Sequence, residues 1–152
     1  LQVPHKIKHF IWRACNDALP TMNNLFRRQV LSSDRCELCQ LYPQDPLQAL
    51  WSCKEVETAW NSLNCLQQPS HPQPPAPEFL RLTSLFFVGE DDYRKEVFAI
   101  SAWMLWNSRN ASNFGRPMHP IANIASMAGN LLQEFLIAQE HDQVKSQPPI
   151  SH

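Results

Sequence analysis

Glycine is scarce in this sequence, with three residues among 152. That scarcity excludes a glycine-rich phosphate loop, and few β-branched runs point away from a strand-built domain. Long apolar runs are missing as well. The longest, Val97 to Trp106, is interrupted by Ser101 and falls well short of the roughly 20 residues that a membrane span needs. Charge of one sign is lacking too: the net charge of −1 provides no whole-molecule field to draw in nucleic acid or a membrane surface. Nothing resembles a secretory leader, because "HFIWRAC" is too short and too charged for an apolar h-region. Catalytic constellations are absent from the pattern. There is no Y-x-D-D pair for polymerisation and no spread of acidic residues suited to two-metal cleavage.

What is present is helical periodicity. Ile7, Phe10, Ile11, Ala14 and Cys15 fall on one face of a segment from Pro4 to Ala18, with Pro4 well placed at a helix start. A short helix follows "LPT", with Thr21 as N-cap and Leu25, Phe26 and Val30 directed inward. Asp45-Pro46 starts a brief helical turn. A further helix over 54–63 buries Val56, Ala59, Trp60 and Leu63. Five prolines between Pro69 and Pro77 then make an extended connector. Beyond it, helices are expected over 78–88, 91–112 and 119–139, the last with Ile121, Ile124, Ala125, Ala128, Leu131, Leu132 and Phe135 as its stripe. The expected fold is all-α: a small helical domain with a Cys-rich knuckle loop (1–65), a Pro-rich linker (66–77), a helical hairpin region (78–141) and a disordered tail (142–152).

Five cysteines with no leader ahead of them predict a reducing, intracellular setting (nucleus or cytoplasm), where clustered thiols read as metal ligands before disulfides. The opening at Leu1, inside apparent structure, is read as the edge of a longer protein. Cys36 and Cys39 form C-x2-C, and Cys53 follows after thirteen intervening residues, near where a second ligand pair usually begins. Cys15, on the apolar stripe, reads as core. His5 and His9 are one helical turn apart, but the residue after His5 is Lys6, not the glutamate of H-E-x-x-H. Both fall opposite Ile7, Phe10 and Ile11, as a solvated basic face.

Charge is uneven along the chain. In the first 35 residues Lys6, Lys8, Arg13, Arg27, Arg28 and Arg35 stand against only Asp17 and Asp34. Any contact with RNA or DNA is therefore expected from Lys6, Lys8, Arg13, Arg27 and Arg28, and it should be weak. Trp12 lies sideways of the buried face, placed either to stack on a base or to pack on a neighbouring helix.

"PHKIKHFIWRACNDALPTMNNLFRR", then "CELC", then "ALWSCKEVETAW" resembles the zinc-binding domain that follows the reverse transcriptase in plant LINE-type retrotransposon proteins and precedes an RNase H domain. "WMLWNSRNASNFG" resembles the stretch after that domain. The resemblance implies a non-catalytic zinc-knuckle module, with polymerase and RNase H domains as neighbours in a parent polyprotein and the enzymatic activities outside this chain. It also implies a ligand order of C-x2-C, His, four residues, Cys. Counting back from Cys53, the histidine position is Gln48, and the commonly acidic position ahead of it is Gln44. An amide is a poor substitute for imidazole on zinc. Two outcomes stay open at this point: Cys36, Cys39, Cys53 and Gln48 hold zinc, or the helices persist without the metal. A structural helical connector, a protein-interaction module and a decayed retroelement fragment are the alternative readings.

Overall fold

The computed structural model describes residues 2–61, 79–87, 92–113 and 123–146. Among them run six α-helices: α1 (His5–Cys15), α2 (Met22–Arg27), α3 (Glu57–Asn61), α4 (Phe79–Phe87), α5 (Asp92–Asn113) and α6 (Ile124–Ser146). A wider helical turn, Gln48–Ser52, lies between α2 and α3. No strand occurs among the described residues, and an isolated antiparallel bridge joins Arg35 to Pro43. The chain is all-α, as the periodicity predicts. No described helix is long and apolar enough to cross a membrane. The proline-rich connector lies outside the described residues.

The 3.6-residue pattern of α1 buries Ile7, Phe10, Ile11 and Ala14 and leaves His5 and His9 exposed. Asn16 stops the helix, its side-chain amide donating to the Trp12 carbonyl at 2.8 Å. Asp17 then enters the left-handed region at φ 51°, which re-aims the chain. Thr21 caps α2 as expected, its Oγ1 accepting from the Asn24 N–H at 3.2 Å.

Three expectations need correction. Phe26 and Val30 do not point inward; they are 43% and 65% exposed. The reason is that α2 ends at Arg27, and Gln29 at φ 61° turns the chain away before Val30. The helix expected from position 54 begins at Glu57, because a turn closed by the Val56 N–H on the Cys53 carbonyl comes first. Val56, Ala59 and Trp60 are nonetheless buried. Finally, α6 runs to Ser146, into the stretch read as a tail. Its last turns are polar but contain no helix breaker before Pro148.

The core centres on α5, whose stretch from Val97 to Trp106 is apolar apart from Ser101. Val97, Phe98, Ala99, Ile100, Ala102, Leu105 and Trp106 are all buried. This helix packs on α6 and also on α1, α4 and the turn at 48–52. The segments on either side of the proline-rich connector therefore share one apolar interior. Phe98 marks the junction: its ring lies 5.5 Å from Trp60, 6.0 Å from Phe79, and 6.5 Å from both Trp51 and Phe87.

Candidate metal centre

The C-x2-C pair sits on a tight excursion of the chain. The Cys36 N–H donates to the Tyr42 carbonyl and the Gln44 N–H to the Asp34 carbonyl, both at 2.8 Å, which pins the two limbs together. Between them the Gln40 N–H returns to the Cys36 carbonyl at 2.9 Å, with Gln40 left-handed at φ 56°. Cys53 arrives from the other side. Asp45 starts the helical turn that precedes it, its Oδ1 accepting the Gln48 N–H at 2.8 Å.

The geometry of that turn settles how Gln48 and Cys53 meet. In an α-helix a five-residue step rotates by about 140° past a full turn, and the two side chains diverge. Here the Cys53 N–H donates to the Gln48 carbonyl at 2.9 Å, an i-to-i+5 bond. The wider winding nearly closes the step into one turn. Helical geometry then stops at Ser52, and Cys53 is extended (φ −63°, ψ 128°), so its sulfur swings toward the pair.

The sulfurs of Cys36, Cys39 and Cys53 all lie within 4.8 Å of one another. Cys36 and Cys53 are buried and Cys39 is partly so, and all are free thiols. A zinc tetrahedron with bonds of about 2.3 Å sets its sulfurs roughly 3.8 Å apart; Cys36 Sγ and Cys53 Sγ are 3.8 Å apart. Gln48 is buried and its Nε2 donates to Cys39 Sγ at 3.3 Å. Its Oε1 is buried without a hydrogen-bond partner, an expensive state for an amide oxygen. Three soft thiolates with an orphaned oxygen donor beside them fit zinc.

A contributor absent from the sequence reading completes the surroundings. Arg109 of α5 is 1% exposed, and its Nη2 donates to Cys36 Sγ at 2.8 Å. The same nitrogen reaches Glu37 Oε1 at 3.0 Å, Nε reaches that oxygen at 3.2 Å, and Nη1 donates to the Ala49 carbonyl at 2.9 Å. A signal for it existed. Phe98, Ala102, Leu105 and Arg109 follow i, i+4, i+7, i+11, so a cation stands on the core stripe of an apolar helix and requires an internal partner. Gln44 also contributes. It is 2% exposed, takes the Met22 N–H on Oε1 at 2.9 Å and donates from Nε2 to Glu37 Oε2 at 2.9 Å. An acid there would face the Glu37 carboxylate; the amide instead ties α2 to the knuckle.

Electrostatics differ among the thiols. Burial pushes Cys36 up, but the Cys39 backbone N–H, the Gln48 amide and the Arg109 guanidinium outweigh it and hold Cys36 down at about 7. Burial and the adjacent Cys36 charge push Cys53 up to about 11, against the pull of the Glu55 N–H and Arg109. Burial also raises Cys15, which is half-buried against Thr83 with Sγ to Oγ1 at 3.7 Å. For Arg109, burial disfavours the cation, yet Glu37 and Cys36 prevail and raise it further.

The sign of the pH dependence follows. In metal-free chain the depressed Cys36 thiol contributes stability that is complete above its ordinary value of 9.0 and is lost as pH falls through about 7. The thermal midpoint of chelator-treated chain should thus drop between pH 9 and pH 7, and Cys36→Ser should flatten that slope. A slope unchanged in the serine variant would assign it to other groups.

The basic residues do not form one cluster of available cations. Lys6 Nζ lies over the Trp103 ring at 4.8 Å, Arg13 donates to the Ala18 carbonyl at 3.1 Å, and Arg27 pairs with Asp17 at 3.8 Å. Lys8 and Arg28 are exposed. Trp12 is 60% exposed and stacks on His9 at 6.1 Å rather than on another helix.

A helical knuckle that converges three thiols from a tight loop and a broken helix defines a metal-binding module. The family model described as zinc-binding in reverse transcriptase matches residues 1–60, so this segment is similar to that domain. No curated protein and no solved structure matches the chain.

Proposed function

We propose that this chain is a non-catalytic accessory module of a retroelement reverse transcriptase polyprotein, of the plant LINE type, built around one structural zinc. Cys36, Cys39 and Cys53 supply thiolates, and the Gln48 amide oxygen takes the histidine's place. The observation that carries this reading is the convergence of the three sulfurs within 4.8 Å of one another, with Cys36 and Cys53 at the 3.8 Å of a zinc tetrahedron. A half-turn of the amide exchanges Nε2 and Oε1 within the same pocket, which would satisfy the orphaned oxygen. The zinc would fix the fold and polarise nothing. The module would lie between polymerase and RNase H domains in the nucleus or cytoplasm, and Lys6, Lys8, Arg13, Arg27 and Arg28 would contact RNA or DNA phosphates.

Elemental analysis of purified chain tests the metal: one zinc per chain is expected, and none would sink the reading. Single-stranded RNA binding, titrated against salt, tests the template role. Each lost phosphate contact should reduce the salt slope by roughly one unit, so an Arg27→Ala, Arg28→Ala variant that matches wild type would remove those residues from it. The exposed side chains of Phe26, Val30, Leu41 and Tyr42 favour a second reading, a module that docks on neighbouring protein domains. Salt-insensitive association with such a domain would distinguish it.

A further inference from the structure

The segment that matches the zinc-binding family ends at residue 60, yet the cysteine cluster does not end there. Arg109 reaches it from α5, 73 positions along the chain from Cys36. We propose that Arg109 is the positioning residue of the metal centre, an outer-sphere partner that holds the Cys36 thiolate and offsets the charge of the zinc–thiolate complex. This inference rests on the zinc reading above.

The contacts argue for more than a buried ion pair. One guanidinium edge meets Glu37 through Nε and Nη2, while Nη2 also faces Cys36 Sγ and Nη1 secures the Ala49 carbonyl. Glu37 lies beside one ligand, and Ala49 lies in the turn that delivers another. The fork therefore ties both limbs of the site to a single rigid helix. Charge points the same way. Three thiolates and a dication leave one excess negative charge, and a neutral amide from Gln48 does not change it. Glu37 adds a second negative charge, and the guanidinium is the cation that the carboxylate and the complex share in a dry interior, where uncompensated charge is costly. Outer-sphere groups of this kind orient ligands and tune the metal. The planar fork is specific to arginine, since lysine brings a charge without the geometry.

The test uses full-length chain and cobalt(II) and zinc as probes, with wild type, Arg109→Met and Arg109→Lys compared. Chelator competition should show zinc affinity reduced roughly ten- to hundredfold in the methionine variant and by a smaller factor in the lysine variant. In the cobalt-loaded proteins the thiolate-to-metal charge-transfer band should move to longer wavelength when the N–H···S contact is lost. A merely structural arginine would not shift that band. If the methionine variant does not fold, the lysine variant decides alone: affinity and band position equal to wild type overturn the inference. An affinity drop without a band shift also overturns it, because it marks a structural role. Wild-type chain that takes up neither metal defeats the zinc reading itself, and the inference with it. Wild-type loading with unperturbed variants defeats only the role of Arg109.

Discussion

Gln48→His should raise zinc affinity by roughly tenfold or more, because it replaces a weak amide donor by an imidazole of similar reach. The position is prepared for it. Gln48 is 6% exposed, its amide nitrogen already sits 3.3 Å from Cys39 Sγ, and its Oε1 has no partner. The i-to-i+5 bond between Cys53 and Gln48 holds the side chain at the cluster whichever residue stands there. Each tenfold gain in affinity adds about 1.4 kcal/mol to the folded state at saturating metal. The melting temperature should consequently rise in zinc and stay level in chelator. Competition titrations and paired melts would check both. A histidine variant with wild-type zinc affinity, or one stabilised equally in chelator, would show that position 48 does not face the ion.

Phe98→Ala should cost about 3–5 kcal/mol, the range for truncating a fully buried aromatic, out of a typical total of about 5–15 kcal/mol. Phe98 is 0% exposed and its ring meets Trp51, Trp60, Phe79 and Phe87. Those partners come from the knuckle turn, α3 and α4, so the cavity opens where both sides of the proline-rich connector meet. Leu80→Ala, at a half-exposed position of α4, provides the contrast and should stay within about 0.5 kcal/mol. Denaturant melts would give both numbers. If Phe98→Ala costs no more than Leu80→Ala, or unfolds only the segment beyond residue 78, then the two sides do not share a cooperative core.

The sequence by itself determined what depends on neighbours along the chain. The stripe of Ile7, Phe10, Ile11 and Ala14 specified the buried face of α1, because 3.6-residue spacing is a local property. Thr21 and Asp45 announced their helix starts through side-chain oxygens that reach backbone N–H groups three residues on. The cysteine spacing announced the cluster, and the mismatch between a five-residue step and an α-helix required the helix to end before Cys53. Tertiary structure alone decided how that requirement was met, by winding the turn wider before breaking it. It also decided that α2 is too short to turn Phe26 and Val30 inward. Above all, it decided that Arg109 joins the cysteines. That pairing spans 73 positions, and no local pattern ranks one distant partner over another. It is the packing of α5 against the knuckle that brings a buried cation to the thiols, where Glu37 and Cys36 favour the charge that burial disfavours.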